Sequence, residues 1–126
     1  MIFGYIRVST REQNTDRQLI ALKEYGVLPE NILTDKQSGK DFNRPNYKRL
    51  LKRIHKGDCI VIKSIDRLGR NYKDIIKQWQ FITKDKGADI IVLDMPILNT
   101  SLNKDLIGTL ISDIVLQLLS YVAENE

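Results

Sequence analysis

Two apolar rhythms alternate along this chain. Short continuous apolar runs are separated by stretches in which apolar residues recur every three or four positions. Residues 2–8 read as a first strand, in which Tyr5, Arg7 and Ser9 project to one side while Ile6 and Val8 project to the other. Thr15 or Asp16 can cap a helix running to about Tyr25, with Leu19, Ile20 and Leu22 on its buried side and Gly26 as its stop. Residues 32–34 form a short second strand. The polar stretch 35–43, with Ser38-Gly39 inside it, reads as a mobile loop. Pro45 opens a second helix whose stripe of Leu50, Leu51 and Ile54 ends near Gly57. Residues 60–63 are a strand buried on both faces. Residues 66–70 begin a helical region that continues from Tyr72 to about Lys86, with Ile75, Ile76, Trp79 and Ile82 facing in. Residues 88–94 are another buried strand, and 96–100 a connection.

Strands alternating with helices predict an α/β fold, a mainly parallel central sheet flanked by helices. No internal repeat, low-complexity tract or linker is visible within the chain. The last segment is different. From Leu102 to Val122, apolar residues at Leu106, Ile107, Leu110, Ile111, Ile114, Val115, Leu118 and Leu119 stripe one long helix. Such a stripe marks either a partner surface or the core helix of a monomer. The sequence stops at Glu124-Asn125-Glu126 without a Gly or Pro terminator, which leads us to expect a piece of a longer protein.

A length of 126 residues suits one domain, and 42% hydrophobic with 29% charged residues is ordinary for a globular one. No apolar run approaches the roughly 20 residues of a membrane span, and no signal peptide opens the chain, so a cytoplasmic location is expected. The single cysteine, Cys59, sits in an apolar run and reads as a small core residue. A net charge of +4 mildly favours a polyanionic partner.

The placement of the arginines changes the picture more than their number does. In a parallel sheet the strands' carboxyl ends share one edge, where ligands bind. Ser9 follows the first strand, the Ser38 loop the second, and Asp66-Arg67-Leu68-Gly69-Arg70 the third. Arg67 and Arg70, three apart, share a face of a helical turn. Arg44 and Arg53 add charge before and within the second helix. Guanidinium forks hold two phosphate oxygens at once and stay protonated, so with a serine hydroxyl they suit attack on a phosphate without a metal. Each residue has a plainer reading too: Ser9 could cap a turn and Asp66 a helix. The only histidine, His55, lies near a helix end and reads as solvated, against a Ser-His-Asp triad. Neither a two-metal acidic cluster nor a P-loop is present in the sequence, so no metal and no cofactor are expected.

Tyr5-Ile6-Arg7-Val8-Ser9-Thr10 followed by Gln13, then Thr34-Asp35-Lys36-Gln37-Ser38-Gly39, Arg44, and Asp66-Arg67-Leu68-Gly69-Arg70, in this order and spacing, resembles the serine recombinases: the resolvases, invertases and site-specific integrases. The resemblance covers essentially the whole chain. It implies a resolvase-like catalytic domain over residues 1–126, with about 1–100 as the core and about 102–126 as the start of a long dimerisation helix. It implies that Ser9 attacks a DNA phosphodiester, forming a 5′-phosphoserine link that is later resealed without ATP or metal. Arg7, Arg67 and Arg70 would bind the scissile phosphate. Gln13, Gln18, Ser38 and Arg44 would support them, Asp66 would protonate the leaving oxygen, Arg53 would add a basic group, and Tyr5 would stand beside the site. The implied partners are a double-stranded recombination site and further copies of the chain, a dimer pairing into a tetramer on DNA. The family's DNA-binding region is absent from these residues.

Three other readings remain open: a module that binds phosphate without chemistry, a nuclease releasing a free 5′ phosphate, and a structural oligomerisation domain. The sequence leaves open the DNA site and the outcome, whether resolution, inversion, integration or excision.

Overall fold

In the computed structural model, residues 1–9, 15–37, 44–69, 71–99 and 117 are described. Four strands, β1 (Ile2–Ser9), β2 (Ile32–Gln37), β3 (Cys59–Ile62) and β4 (Asp89–Val92), form one sheet in the order β2-β1-β3-β4. Every neighbouring pair is parallel. The crossovers are α1 (Asp16–Tyr25), α2 (Pro45–Arg53) and α3 (Tyr72–Gln80). The expected α/β architecture is what the chain adopts. The long helix expected over about 102–126 lies, apart from Gln117, outside the described residues, as do Gln13, Ser38 and Arg70.

The strand order fixes the layers. The step from β1 to β2 moves one way along the sheet, and the steps to β3 and β4 move the other way. Crossovers of one hand therefore put α1 on one face and α2 and α3 on the other. The core divides accordingly. Ile6, Val8, Leu22, Val27, Cys59, Val61 and Ile91 pack beneath α1. Phe3, Tyr5, Tyr47, Leu50, Ile60, Trp79 and others pack beneath α2 and α3. β1 thus feeds Phe3 and Tyr5 to one layer and Ile6 and Val8 to the other, as its alternation predicts. At Gly4 the α1 layer comes so close that a Cβ would lie 2.9 Å from Leu22 Cδ1.

Several boundaries depart from the sequence reading. β2 runs on through Asp35, Lys36 and Gln37, which were expected in the loop. Parallel pairing with β1 from Gly4↔Ile32 to Ser9↔Gln37 overrides their polar character. On α1, Ile20 is 55% exposed and Gln18, at 5%, takes the inner position. Gln18 offsets its burial by donating to the Arg7 carbonyl at 3.3 Å. Gly26 ends α1 as expected, with φ 114°. The helical region expected from residue 66 is broken. A 3-10 turn (Ile65–Arg67) gives way to non-helical Leu68 and Gly69 before Asn71 caps α3 by accepting the Asp74 N–H. α3 then passes into one π-helical turn, Phe81–Asp85, so the helix reaches the expected end near Lys86. β4 covers Asp89–Val92 rather than 88–94.

Candidate active site

The sheet's chain order reverses between β1 and β3, and ligands of open parallel sheets bind at the carboxyl end of such a switch point. β1 also outruns β3: their pairing stops at Gly4↔Val61, although β1 continues to Ser9. The flank of β1 beyond Gly4 is therefore open to the segment leaving β3. The turn at 65–69 fills it.

Three arginines from three strand exits interlock there. Arg67 Nη1 donates to the Arg7 carbonyl at 2.7 Å. Arg7 Nη2 donates back to the Asp66 carbonyl at 2.6 Å and to the Gly69 carbonyl at 3.4 Å. Arg44 Nη1 donates to the Arg67 carbonyl at 3.2 Å. Backbone carbonyls thus hold three like charges close together. Burial pulls the Arg7 guanidinium below its ordinary value; Arg44 and Arg67 pull the same way, while Tyr5 and Asp66 oppose them. Arg67 Nε and Gln18 Oε1 are buried with no hydrogen-bond partner among the described residues. An oxyanion lodged here would relieve the repulsion and give that Nε an acceptor.

Arg44 is 4% exposed, with its Cζ 3.8 Å from the centre of the Tyr47 ring and 6.0 Å from that of Tyr5. It is also the residue preceding α2, where it cannot accept from the helix's first N–H groups. Asp35 does so instead. Its Oδ1 accepts the Asn46 N–H at 3.1 Å, and its Oδ2 the Tyr47 N–H at 2.9 Å and the Tyr5 hydroxyl at 2.9 Å. Sequence reasoning missed Asp35 by assigning it to a loop. The signal was available: a helix opening on Arg-Pro lacks a capping side chain and needs an acceptor from elsewhere. The Tyr5 hydroxyl is pushed well above the usual phenol range by burial first and by Asp35 next. It therefore serves as a fixed donor to Asp35.

Asp66 caps no helix. Its carboxylate, 62% exposed, accepts the Ser64 hydroxyl and lies 3.9 Å from Arg67 Nε. The backbone of Ser9 ends β1 at this edge, in register with Gln37, but the direction of its hydroxyl lies outside what is described. Arg53 is not brought to the site. α2 runs back along the sheet, about 13 Å from Arg44 to Arg53 at 1.5 Å per residue, and Arg53 lies 5.1 Å from the Phe3 ring near the start of β1. His55 is solvated as expected, its side chain 81% exposed. Two clefts of about 460 and 270 Å³ lie between α2 and α3, the smaller opening beside Arg44.

Comparison with known proteins decides the family. The sequence profile described as "Resolvase, N terminal domain" matches residues 2–126. The chain belongs to that family. Among relatives of this resolvase-type domain is the serine recombinase gin of Escherichia phage Mu, 51% identical over 76 residues, 60% of this chain and 38% of that protein. The transposon Tn3 resolvase of Escherichia coli is 46% identical over 76 residues, again 60% of this chain and 41% of the relative. A resolvase/recombinase of Pseudomonas putida is 39% identical over 127 residues, covering 99% of this chain and 64% of its own length. The resolvase-type domain therefore spans less than two thirds of each of these relatives. A solved structure, the N-terminal catalytic domain of TP901-1 integrase, superposes with a TM-score of 0.67 at 28% identity, covering 99% of this chain and 98% of the other. Among the described residues, no helix is long and apolar enough to cross a membrane.

Proposed function

We propose that this chain is the catalytic domain of a site-specific DNA recombinase with Ser9 as its nucleophile. The observation that carries the reading is the interlocked trio of Arg7, Arg44 and Arg67 at the switch point where β1 delivers Ser9. In the proposed reaction the Ser9 oxygen bonds to a DNA phosphorus and gives its proton to solvent. The bond from phosphorus to the 3′ oxygen breaks, and that oxygen leaves as a hydroxyl protonated from the Asp66 side. A 3′ hydroxyl from the exchanged strand then attacks the phosphoserine and restores the diester. One phosphodiester is made for each one broken, so neither ATP nor a metal is required.

Arg7 and Arg67, and with them Arg70, would bear the charge that builds on the equatorial oxygens. Gln13, Gln18, Ser38 and Arg44 would support the phosphate and the loops around it. The assembly we propose is a dimer that pairs into a tetramer on a duplex site through residues 102–126.

Trapping tests the reaction. After incubation with a plasmid pool carrying random inserts, a denaturant-stable protein–DNA adduct should form, map to the peptide containing Ser9, and vanish in Ser9→Ala. Cleavage that leaves free 5′ phosphates without an adduct would establish a nuclease instead. DNA binding without cleavage would establish a binding module.

A further inference from the structure

A second basic feature lies away from the arginine trio, along the outer face of α2. Residues 42–57 hold six of the chain's 20 lysines and arginines and no acid, leaving the other 14 to face all 16 acids. α2 buries Tyr47 and Leu50 against the sheet, with Ile54 just beyond it. The opposite side carries Arg49, Lys52 and Arg53 at the i, i+3, i+4 spacing of one helical stripe, and Lys56 follows in the turn beyond the helix end. All four are exposed, and Lys48 beside them is exposed too. Like charges four apart, as at Arg49 and Arg53, destabilise a helix by about 0.2–0.5 kcal/mol per pair. An anionic partner would offset that repulsion within the stripe.

We infer that this stripe is a second contact for the phosphate backbone of duplex DNA, independent of sequence and separate from the cleavage site. Charge complementarity selects the occupant. A second copy of the chain would bring like against like, whereas a duplex offers a phosphate every 3.4 Å along each strand. From Arg49 to Arg53 the stripe extends about 6 Å at 1.5 Å per residue, enough for two phosphates, with Lys56 beyond the helix end. Its position fits the same substrate, because α2 begins at Arg44 in the site and carries the charge away along the flank. The inference rests on the proposed reading only in naming DNA as the polyanion.

The test is the salt dependence of binding to a random-sequence duplex, read by fluorescence anisotropy with the full chain. Replacing Arg49, Lys52 and Lys56 together by Gln alters only exposed side chains. It should lower the slope of log K against log salt by about 2, since each phosphate that the protein neutralises adds about 0.9 to that slope. A triple variant of equal charge change elsewhere, Lys23→Gln/Lys84→Gln/Lys86→Gln, should leave the slope within about 0.5 of the parental value. Equal falls in both variants would overturn the inference, since only net charge would matter. So would an unchanged slope in the α2 variant, including the cases where that variant instead alters sedimentation or loses binding to anionic lipid vesicles. Absence of duplex binding by the parent chain would overturn it as well. Ser9→Ala should keep the parental slope, so loss of the adduct reading and loss of this one are separate results.

Discussion

The Asp35 carboxylate accepts the Tyr5 hydroxyl at 2.9 Å, and the same oxygen takes the Tyr47 N–H at 2.9 Å. One buried acid on β2 thereby ties the central strand to the first turn of α2, the turn that places Arg44 over the two tyrosine rings. The placement of Arg44 rests on this tie, although Asp35, an acceptor only, would not itself bind the proposed phosphate.

Removing the tie should cost stability first. Asp35→Ala strands two N–H groups and a phenol, and hydrogen bonds to a charged acceptor are worth about 1.5–3 kcal/mol each, shared here among one group's partners. We expect a loss of about 3 kcal/mol for Asp35→Ala and about 1 kcal/mol for Tyr5→Phe, measured by urea unfolding. Equal losses in the two variants would show that the helix-capping bonds contribute nothing.

Alkaline pH should unfold the chain through the same tyrosines. Tyr5 and Tyr47 are both held above the ordinary phenol value, chiefly by burial. A group whose folded-state pKa is raised binds its proton more tightly in the folded state. Its stabilisation is complete below the unfolded value near 10 and is lost as pH climbs beyond it. The part of the tyrosinate absorbance that belongs to Tyr5 and Tyr47 should therefore appear only together with the loss of circular dichroism, above about pH 10. Ionisation of all tyrosines with the fold intact would contradict this.

How much of this was legible in the sequence depended on how local each cause was. The period-2 and period-3.6 patterns, Gly26 and Pro45 announce the strands and helices because each signal acts over a few residues. The alternation of β1 likewise placed Arg7 opposite Ile6 and Val8. Asp35 and Gln18 were hidden because their partners come from elsewhere in the fold: Asp35 serves a helix ten residues on, and Gln18 serves the Arg7 carbonyl. Arg53 lies away from the arginine trio for a related reason. Its distance from the site follows from the direction in which α2 crosses the sheet, which spacing alone does not express. The break before α3 also needed tertiary information, namely that α3 leaves no room for a side chain at Gly69.

That close approach makes Gly69 a sensitive position. A Cβ there would lie 2.8 Å from the Ile75 backbone nitrogen, a clash that only a backbone shift can relieve. Gly69→Ala should cost about 1–3 kcal/mol by overpacking. It should also displace the Gly69 carbonyl from Arg7. Adduct formation should fall more than tenfold even at temperatures where the variant is fully folded. A variant with parental adduct yield would show that the turn's placement does not matter.

Arg67→Lys keeps the charge but removes the fork. A lysine offers no second nitrogen to hold phosphate while the first donates to the Arg7 carbonyl. Adduct formation should drop by about 10²-fold, on the scale of losing one preorganised donor, with stability changed by about 1 kcal/mol. Full activity in the lysine variant would mean that point charge suffices.

The most direct measurement is a crystal structure of the chain soaked with inorganic phosphate or vanadate. The predicted density is a tetrahedral or trigonal-bipyramidal anion within hydrogen-bond reach of the Arg7 and Arg67 guanidiniums, with the Ser9 oxygen aimed at its central atom. An anion bound only elsewhere, with the Ser9 hydroxyl turned to the opposite surface from those guanidiniums, would contradict the account.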